Sequence, residues 1–166
     1  MKKVAVLLEN MFDEQELIYP YHRLRENFEV YLIGTKKDQE YSSKAGVTFK
    51  ADYSSKEALD MDFDGVFVPG GFSPDYMRRC DDTKTFIKQL HEKKKPIAAI
   101  CHGPWLLCSA LDLKGKNVTS FLSIKDDVEH AGGKWIDEEV VVDENLLTSR
   151  TPKDLPALMK AFLKQL

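Results

Sequence analysis

Apolar residues along this chain cluster in short, nearly unbroken runs separated by longer stretches with helical spacing. Val4 to Leu8, Phe28 to Ile33, Gly65 to Val68 and Pro96 to Ile100 are runs of strand length, of the kind buried on both faces of a sheet. Between them, Glu14 to Glu26 carries Leu17, Ile18, Tyr21 and Leu24 at helical spacing, with Pro20 as an interruption that bends its first turns. Thr83 to Glu92, Pro104 to Leu111 and Pro152 to Leu166 read as further helices, and Ile124 to Ala131 as a short one closed by Gly132-Gly133. Gly46 to Ala51 alternates weakly, as an edge strand or hairpin arm does, and Asn117 to Phe121 reads as a strand. Val140 to Val142 and Leu146 to Thr148 flank Asp143-Glu144-Asn145, a hairpin. Strands alternating with helices predict an α/β fold: a mostly parallel sheet with helices on both faces, forming a single domain over residues 1–166. Ligands in such sheets bind beyond the carboxyl ends of the strands. That rule selects Glu9 to Asp13, Pro69 to Asp75 and Cys101 to Gly103 as neighbours.

Composition narrows the function classes. With 43% hydrophobic and 31% charged residues the chain is a globule with a sizeable core, and its net charge of −3 with no basic stripe argues against nucleic acid as a partner. Lys93-Lys94-Lys95 is the one basic run and falls at a helix end, where cations complement the dipole. Met1-Lys2-Lys3 leads straight into a short strand, so neither a signal segment nor a membrane partner is expected. Cys80, Cys101 and Cys108 form no disulfide framework, which fits free thiols and a cytoplasmic location. His22, His91, His102 and His130 lack ligand spacing with the cysteines, so no metal is expected.

Candidate chemistry concentrates at Cys101. The Ile97 to Ile100 run stops at Cys101-His102-Gly103 and turns at once into a helix opened by Pro104, the layout of a nucleophile elbow with sulfur as nucleophile. Helix amides beside the sulfur favour a thiolate. Cys108, on the same helical face, reads as a core cysteine, and Cys80 lies near a helix start. His102 is adjacent in sequence, and at a sharp turn it either meets the thiol or simply packs. Pro69-Gly70-Gly71 ends a buried strand, where paired glycines expose N–H groups; Gly70, Gly71 and His102 are candidate oxyanion donors. Glu9, Asp13, Glu14 and Glu16 in the first loop would repel a phosphate, which disfavours flavin and dinucleotide cofactors. One of these carboxyls, protonated or sharing a proton, is within reach of the sulfur, and the others fit a solvated helix start.

Ala99-Ile100-Cys101-His102-Gly103-Pro104 resembles the cysteine elbow of the ThiJ/PfpI superfamily, in its PfpI-like intracellular protease branch. Similar segments run along the chain: Glu16-Leu17-Ile18-Tyr19-Pro20, Pro69-Gly70-Gly71 with Pro74-Asp75 and Arg78, Ile124-Lys125-Asp126-Asp127, and Val140 to Asp143 leading to Thr148-Ser149-Arg150. The resemblance implies a flavodoxin-like three-layer sandwich akin to class I glutamine amidotransferase domains, with Cys101 as nucleophile and His102 as its partner. It also implies an acid from the first loop and a second acid from a neighbouring subunit. Those fall on Asp13 and Asp75, each one methylene shorter than the usual glutamate, with Glu14 as a substitute if the loop shifts. A homodimer or higher homo-oligomer is therefore implied, with the site near an interface. The implied activity is cofactor-free and cysteine-dependent, on a small-molecule or peptide substrate: hydrolysis of an amide or peptide, or glyoxalase/deglycase chemistry in stress protection. A redox-sensing or chaperone-like protein whose Cys101 is oxidised is the alternative, and a scaffold without activity a third.

Overall fold

A computed structural model describes residues 1–166. In chain order the elements are β1 (Lys3–Leu7), α1 (Glu14–Arg25), β2 (Glu29–Gly34), β3 (Glu40–Ser42), β4 (Thr48–Lys50), β5 (Tyr53–Ser54), α2 (Ser55–Ala58), β6 (Gly65–Val68), α3 (Ser73–Met77) and α4 (Asp81–Glu92). There follow β7 (Ile97–Ile100), α5 (Pro104–Ala110), β8 (Asn117–Val118), α6 (Lys125–His130), β9 (Lys134–Trp135), β10 (Val141–Asp143), β11 (Leu146–Ser149) and α7 (Leu155–Gln165).

Seven strands form one sheet in the order β10-β11-β7-β6-β1-β2-β5. Every pairing in it is parallel except the β10–β11 hairpin. The strand runs alternate between two cores. Ala5, Leu7, Val66, Val68, Ile97, Ala99 and Leu146 face α4, α5 and α6, where Phe86, Ile87, Leu106 and Val128 meet them. Val4, Val6, Phe67, Ala98, Ile100 and Leu147 face the other way, onto Leu17 and Leu24 of α1 and Leu158, Met159 and Phe162 of α7. This is the expected α/β sandwich, with helices covering both faces of the sheet. Each large side chain wholly removed from water in these layers contributes about 1.5–3 kcal/mol. No helix is long and apolar enough to cross a membrane.

The structure departs from the predicted elements where local contacts outweigh pattern. Gly46 to Ala51 is a hairpin arm, as its alternation suggests, but its partner β3 is polar and only three residues long. The Asn117 to Phe121 strand stops at Val118, because the Phe121 N–H turns away to donate to the Cys101 carbonyl at 2.9 Å. The last helix opens with a 3-10 turn at Pro152–Asp154 before α7 begins. The short α3 was not visible in the pattern. Its first residue, Ser73, is buried and donates its hydroxyl to the Gly70 carbonyl at 2.7 Å.

Candidate active site

The carboxyl ends of β1, β6, β7 and β11 converge, and the loops leaving them build the site. Cys101 follows β7 with φ of +61°, a left-handed conformation that costs a residue with a side chain about 1–3 kcal/mol and persists only where the surroundings enforce it. They do so here from both sides. The Cys101 N–H donates to the Ser149 carbonyl at the end of β11 at 3.0 Å, and its own carbonyl accepts from Phe121. Gly103 is required by space: a Cβ there would lie 2.8 Å from the carbonyl oxygens of both Ile100 and Val68. Only a bare backbone lets α5 start so close to the two strand ends.

The turn brings the adjacent histidine to the sulfur. His102 Nδ1 lies 3.4 Å from Cys101 Sγ. The imidazole stacks on Phe121 with ring centroids 5.1 Å apart and meets the edge of Trp105 at 4.9 Å. Trp105 is in turn fixed by its indole N–H, which donates to Asp127 at 3.1 Å. Burial, and then the Lys44 cation, lower the His102 pKa against the opposing pull of Asp127. The ring is therefore neutral near pH 7 and able to take a proton.

Glu16 is the carboxyl buried beside the sulfur. It is 1% exposed. Its Oε1 accepts the Gly70 N–H at 2.8 Å, and its Oε2 has no hydrogen-bond partner. Burial raises its pKa to about 8, with the Asp13 charge adding to the rise, while the Gly70 N–H and the Cys101 thiol work against it. Burial also pushes the Cys101 thiol up, followed by the Glu16 charge, with the His102 backbone N–H opposing. The amides at the start of a helix favour a thiolate at rest. In the structure, burial outweighs that one amide. The resting site at neutral pH holds a protonated carboxyl, a protonated thiol and a neutral imidazole.

The other sequence candidates fall as follows. Asp13 is the N-cap of α1: its Oδ1 accepts the N–H groups of Gln15 and Glu16 at 3.0 and 3.3 Å, and its Oδ2 lies 3.1 Å from Lys44 Nζ. It is occupied in holding the turn that carries Glu16. Glu14 accepts the Ala45 N–H at 2.7 Å. Asp75, in the first turn of α3, is ion-paired with Arg79 and makes no hydrogen bond with the Cys101–His102 pair of its own chain. The Gly70 N–H is already taken by Glu16 and so is not a free oxyanion donor. The Gly71 N–H donates to no acceptor in the chain, and the His102 N–H faces the Cys101 thiol. Gly71 has φ of +69° and is packed so that a Cβ would lie 2.5 Å from the Met11 carbonyl.

A signal for Glu16 was present in the sequence. Glu16, Pro20 and Leu24 recur at intervals of four, and all three are buried along α1. The carboxyl stands at the head of an inward-facing row.

The family model described as the DJ-1/PfpI family matches residues 2–165. The chain belongs to the DJ-1/PfpI family. It is 42% identical over 165 residues to Deglycase PfpI of Pyrococcus furiosus and 41% identical over 164 residues to Deglycase PYRAB04690 of Pyrococcus abyssi, covering 99% of each chain in both comparisons. Among solved structures, the DJ-1/ThiJ/PfpI-like and ferritin-like two-domain protein of Anabaena variabilis superposes with a TM-score of 0.95 at 41% identity. That match covers 99% of this chain and 48% of the other. Drosophila melanogaster DJ-1beta superposes with a TM-score of 0.91 at 26% identity, covering 99% and 90%. With DJ-1/PfpI enzymes this similar along its whole length, the chain is an enzyme of the PfpI type.

Proposed function

We propose that this chain is a cofactor-free, cysteine-dependent enzyme of glyoxalase/deglycase type, acting on small α-oxo aldehydes and their early adducts. The observation that carries this reading is the contact of Cys101 Sγ with a neutral His102 at 3.4 Å, beside the backbone N–H groups of Gly71 and His102. His102 takes the thiol proton as sulfur adds to the aldehyde carbon of methylglyoxal, forming a C–S bond and a hemithioacetal. The developing oxyanion is held by the Gly71 and His102 N–H groups. His102 returns the thiol proton to that oxyanion, completing the hemithioacetal, and, neutral again, takes the proton from C1 and delivers it to C2 while the C1 hydroxyl proton passes to the C2 oxygen, so that C1 is oxidised and C2 reduced within the same molecule. The resulting lactoyl thioester is hydrolysed by water, which gives lactate and restores the thiol without any external oxidant. Protonated Glu16 beside the sulfur limits the build-up of negative charge there. The names of the Pyrococcus relatives support this reading.

Methylglyoxal turnover to lactate tests it. The wild type is expected to produce lactate, and Cys101→Ser to fall to the rate of buffer alone. Equal rates for the two proteins, or none for either, would overturn the reading. We further infer a homo-oligomer with the site near its interface. Asp75 is ion-paired with Arg79 and makes no hydrogen bond with the cysteine or histidine of its own chain, and Phe72 and Leu122 are exposed apolar side chains. Solution mass by light scattering would show a monomer if this is wrong.

A further inference from the structure

A second crevice opens at the carboxyl ends of the strands, away from the Cys101 turn. β1 lies between β2 and β6 in the sheet. The chain leaves β1 through α1 on one face and leaves β6 through α3 and α4 on the other. The loops therefore part between these strands, where open α/β sheets take their ligands. A cavity of about 320 Å³ lies there, walled by Glu9 after β1, Thr35 and Lys36 after β2, and Tyr76, Arg79 and Cys80 after β6. Glu9 is 6% exposed. Its oxygens accept only from neutral donors, the Asn10 N–H at 3.0 Å and the Thr35 hydroxyl at 2.6 Å. No cation of the chain pairs with it, and a carboxylate shut away from water without a counter-ion is costly. Lys36 has its backbone N–H fixed by the Tyr41 hydroxyl at 2.9 Å, and its exposed ammonium pairs with no carboxylate, whereas Arg79 is already paired with Asp75. Cys80 is a half-buried free thiol at the N-cap of α4. Its Sγ lies 3.6 Å from the Ser55 hydroxyl. The buried Thr83 hydroxyl donates to Ser55 at 2.9 Å, which leaves the Ser55 proton free to turn to the sulfur. One cavity thus presents a carboxylate, an ammonium and a thiol, with neither charge answered from within the chain.

We propose that this crevice binds a low-molecular-weight disulfide of the cystine class and that Cys80 is modified by it: Glu9 takes the ammonium of the ligand's amino-acid group, Lys36 takes its carboxylate, and Cys80 exchanges with its disulfide. The Cys80 proton goes to solvent and the thiolate attacks one ligand sulfur. The ligand S–S bond breaks as the new S–S bond to Cys80 forms, and the other half leaves as a thiolate that takes up a proton. Cys80 is oxidised, the departing half is reduced, and excess thiol reverses the step. The state of the thiol agrees with this role: burial raises it, but Thr83, Ser55 and the Asp82 N–H outweigh burial and leave it below its ordinary value. The inference does not depend on the activity proposed for Cys101.

The test compares three disulfides of one skeleton: cystine, cystamine, which lacks the carboxylates, and 3,3′-dithiodipropionate, which lacks the ammonium groups. Adduct formation is followed by intact mass and located by peptide mass spectrometry at an ionic strength of about 0.15 M. Each rate is divided by that of the same disulfide with N-acetylcysteine, which removes differences between leaving groups. Wild type is expected to take one cysteinyl group, on Cys80, and Cys80→Ser none. The normalised rate with cystine should exceed those with both analogues by about tenfold. The net charge of the protein cannot produce that pattern, because a general field would favour one of the two oppositely charged analogues. Lys36→Met should slow cystine to the level of cystamine and leave cystamine unchanged. Glu9→Gln should slow cystine to the level of dithiodipropionate. Equal normalised rates for the three disulfides on wild type would show a reactive thiol without a binding site and overturn the inference, as would cystine adducts that persist in Cys80→Ser. Should Glu9→Gln not fold, the wild-type comparison and Lys36→Met decide the matter; a Lys36→Met protein that reacts with cystine as wild type does would refute the assigned geometry.

Discussion

Replacing Glu16 by glutamine tests the central electrostatic feature of the site, a carboxyl sheltered from water and holding its proton. Glutamine keeps the carbonyl oxygen that accepts the Gly70 N–H and cannot ionise. Lifting a carboxyl from 4.5 to about 8 corresponds to about 5 kcal/mol, at ~1.4 kcal/mol per pH unit. The direction is set by proton counting. In the unfolded chain Glu16 ionises near its ordinary value, whereas the folded chain holds the proton until about 8. Between those limits the native state binds more protons, so wild-type stability falls as pH rises. The cost is absent below the lower limit and complete above the upper one. Denaturant titrations of wild type and Glu16→Gln at a series of pH values give the stability difference, in which the titrations common to both proteins cancel. That difference should swing in favour of the variant by about 4–5 kcal/mol between pH ~4.5 and pH ~8.5. A difference flat to within about 1 kcal/mol across the range would mean that the carboxyl is not sheltered, and the description of the resting site would fail with it.

Two further outcomes are expected. Gly70→Ala places a Cβ 2.5 Å from Glu16 Oε1, 2.9 Å from the Ile100 carbonyl and 3.0 Å from the His102 nitrogen. Since two of these are backbone atoms that cannot swing aside, we expect a loss of about 1–3 kcal/mol in denaturation together with loss of turnover. Near pH 7 and in the absence of substrate, limiting iodoacetamide should label Cys80 ahead of Cys101 and Cys108, as read by peptide mass spectrometry. Burial raises the Cys80 thiol, but hydrogen bonds with Thr83, Ser55 and the Asp82 N–H outweigh it and leave the thiol below its ordinary value, whereas burial raises Cys101 and takes Cys108 to about 11. Labelling of Cys101 first would show that the sulfur is ionised at rest.

The parallel sheet was legible because its central strands are the most uniform runs in the sequence. Val4 to Leu8, Gly65 to Val68 and Ile97 to Ile100 have no polar interruption, and a strand covered on both faces needs none. The elbow was legible because a cysteine, a histidine, a glycine and a proline meet where such a run ends. The acids were harder to read. Four carboxyls crowd the start of α1, and composition does not say which one turns inward. The choice is made by helix geometry: Asp13 satisfies the first free N–H groups of the helix, and the residue three positions on is carried round to the core side. The protonation state of the sulfur was not legible either, because it depends on a burial that is created only when α1 packs against the β7 turn.

The hydrogen bond from the Cys101 N–H to the Ser149 carbonyl has a bearing on biosynthesis. The nucleophile turn is pinned by a strand that is translated almost fifty residues after it, and β11 pairs with β7 in parallel, so no local hairpin can stand in for it. A nascent chain that has emerged only as far as β10 has the cysteine but lacks its anchor. The reactive centre is thus completed only after β11 has been made and has paired with β7.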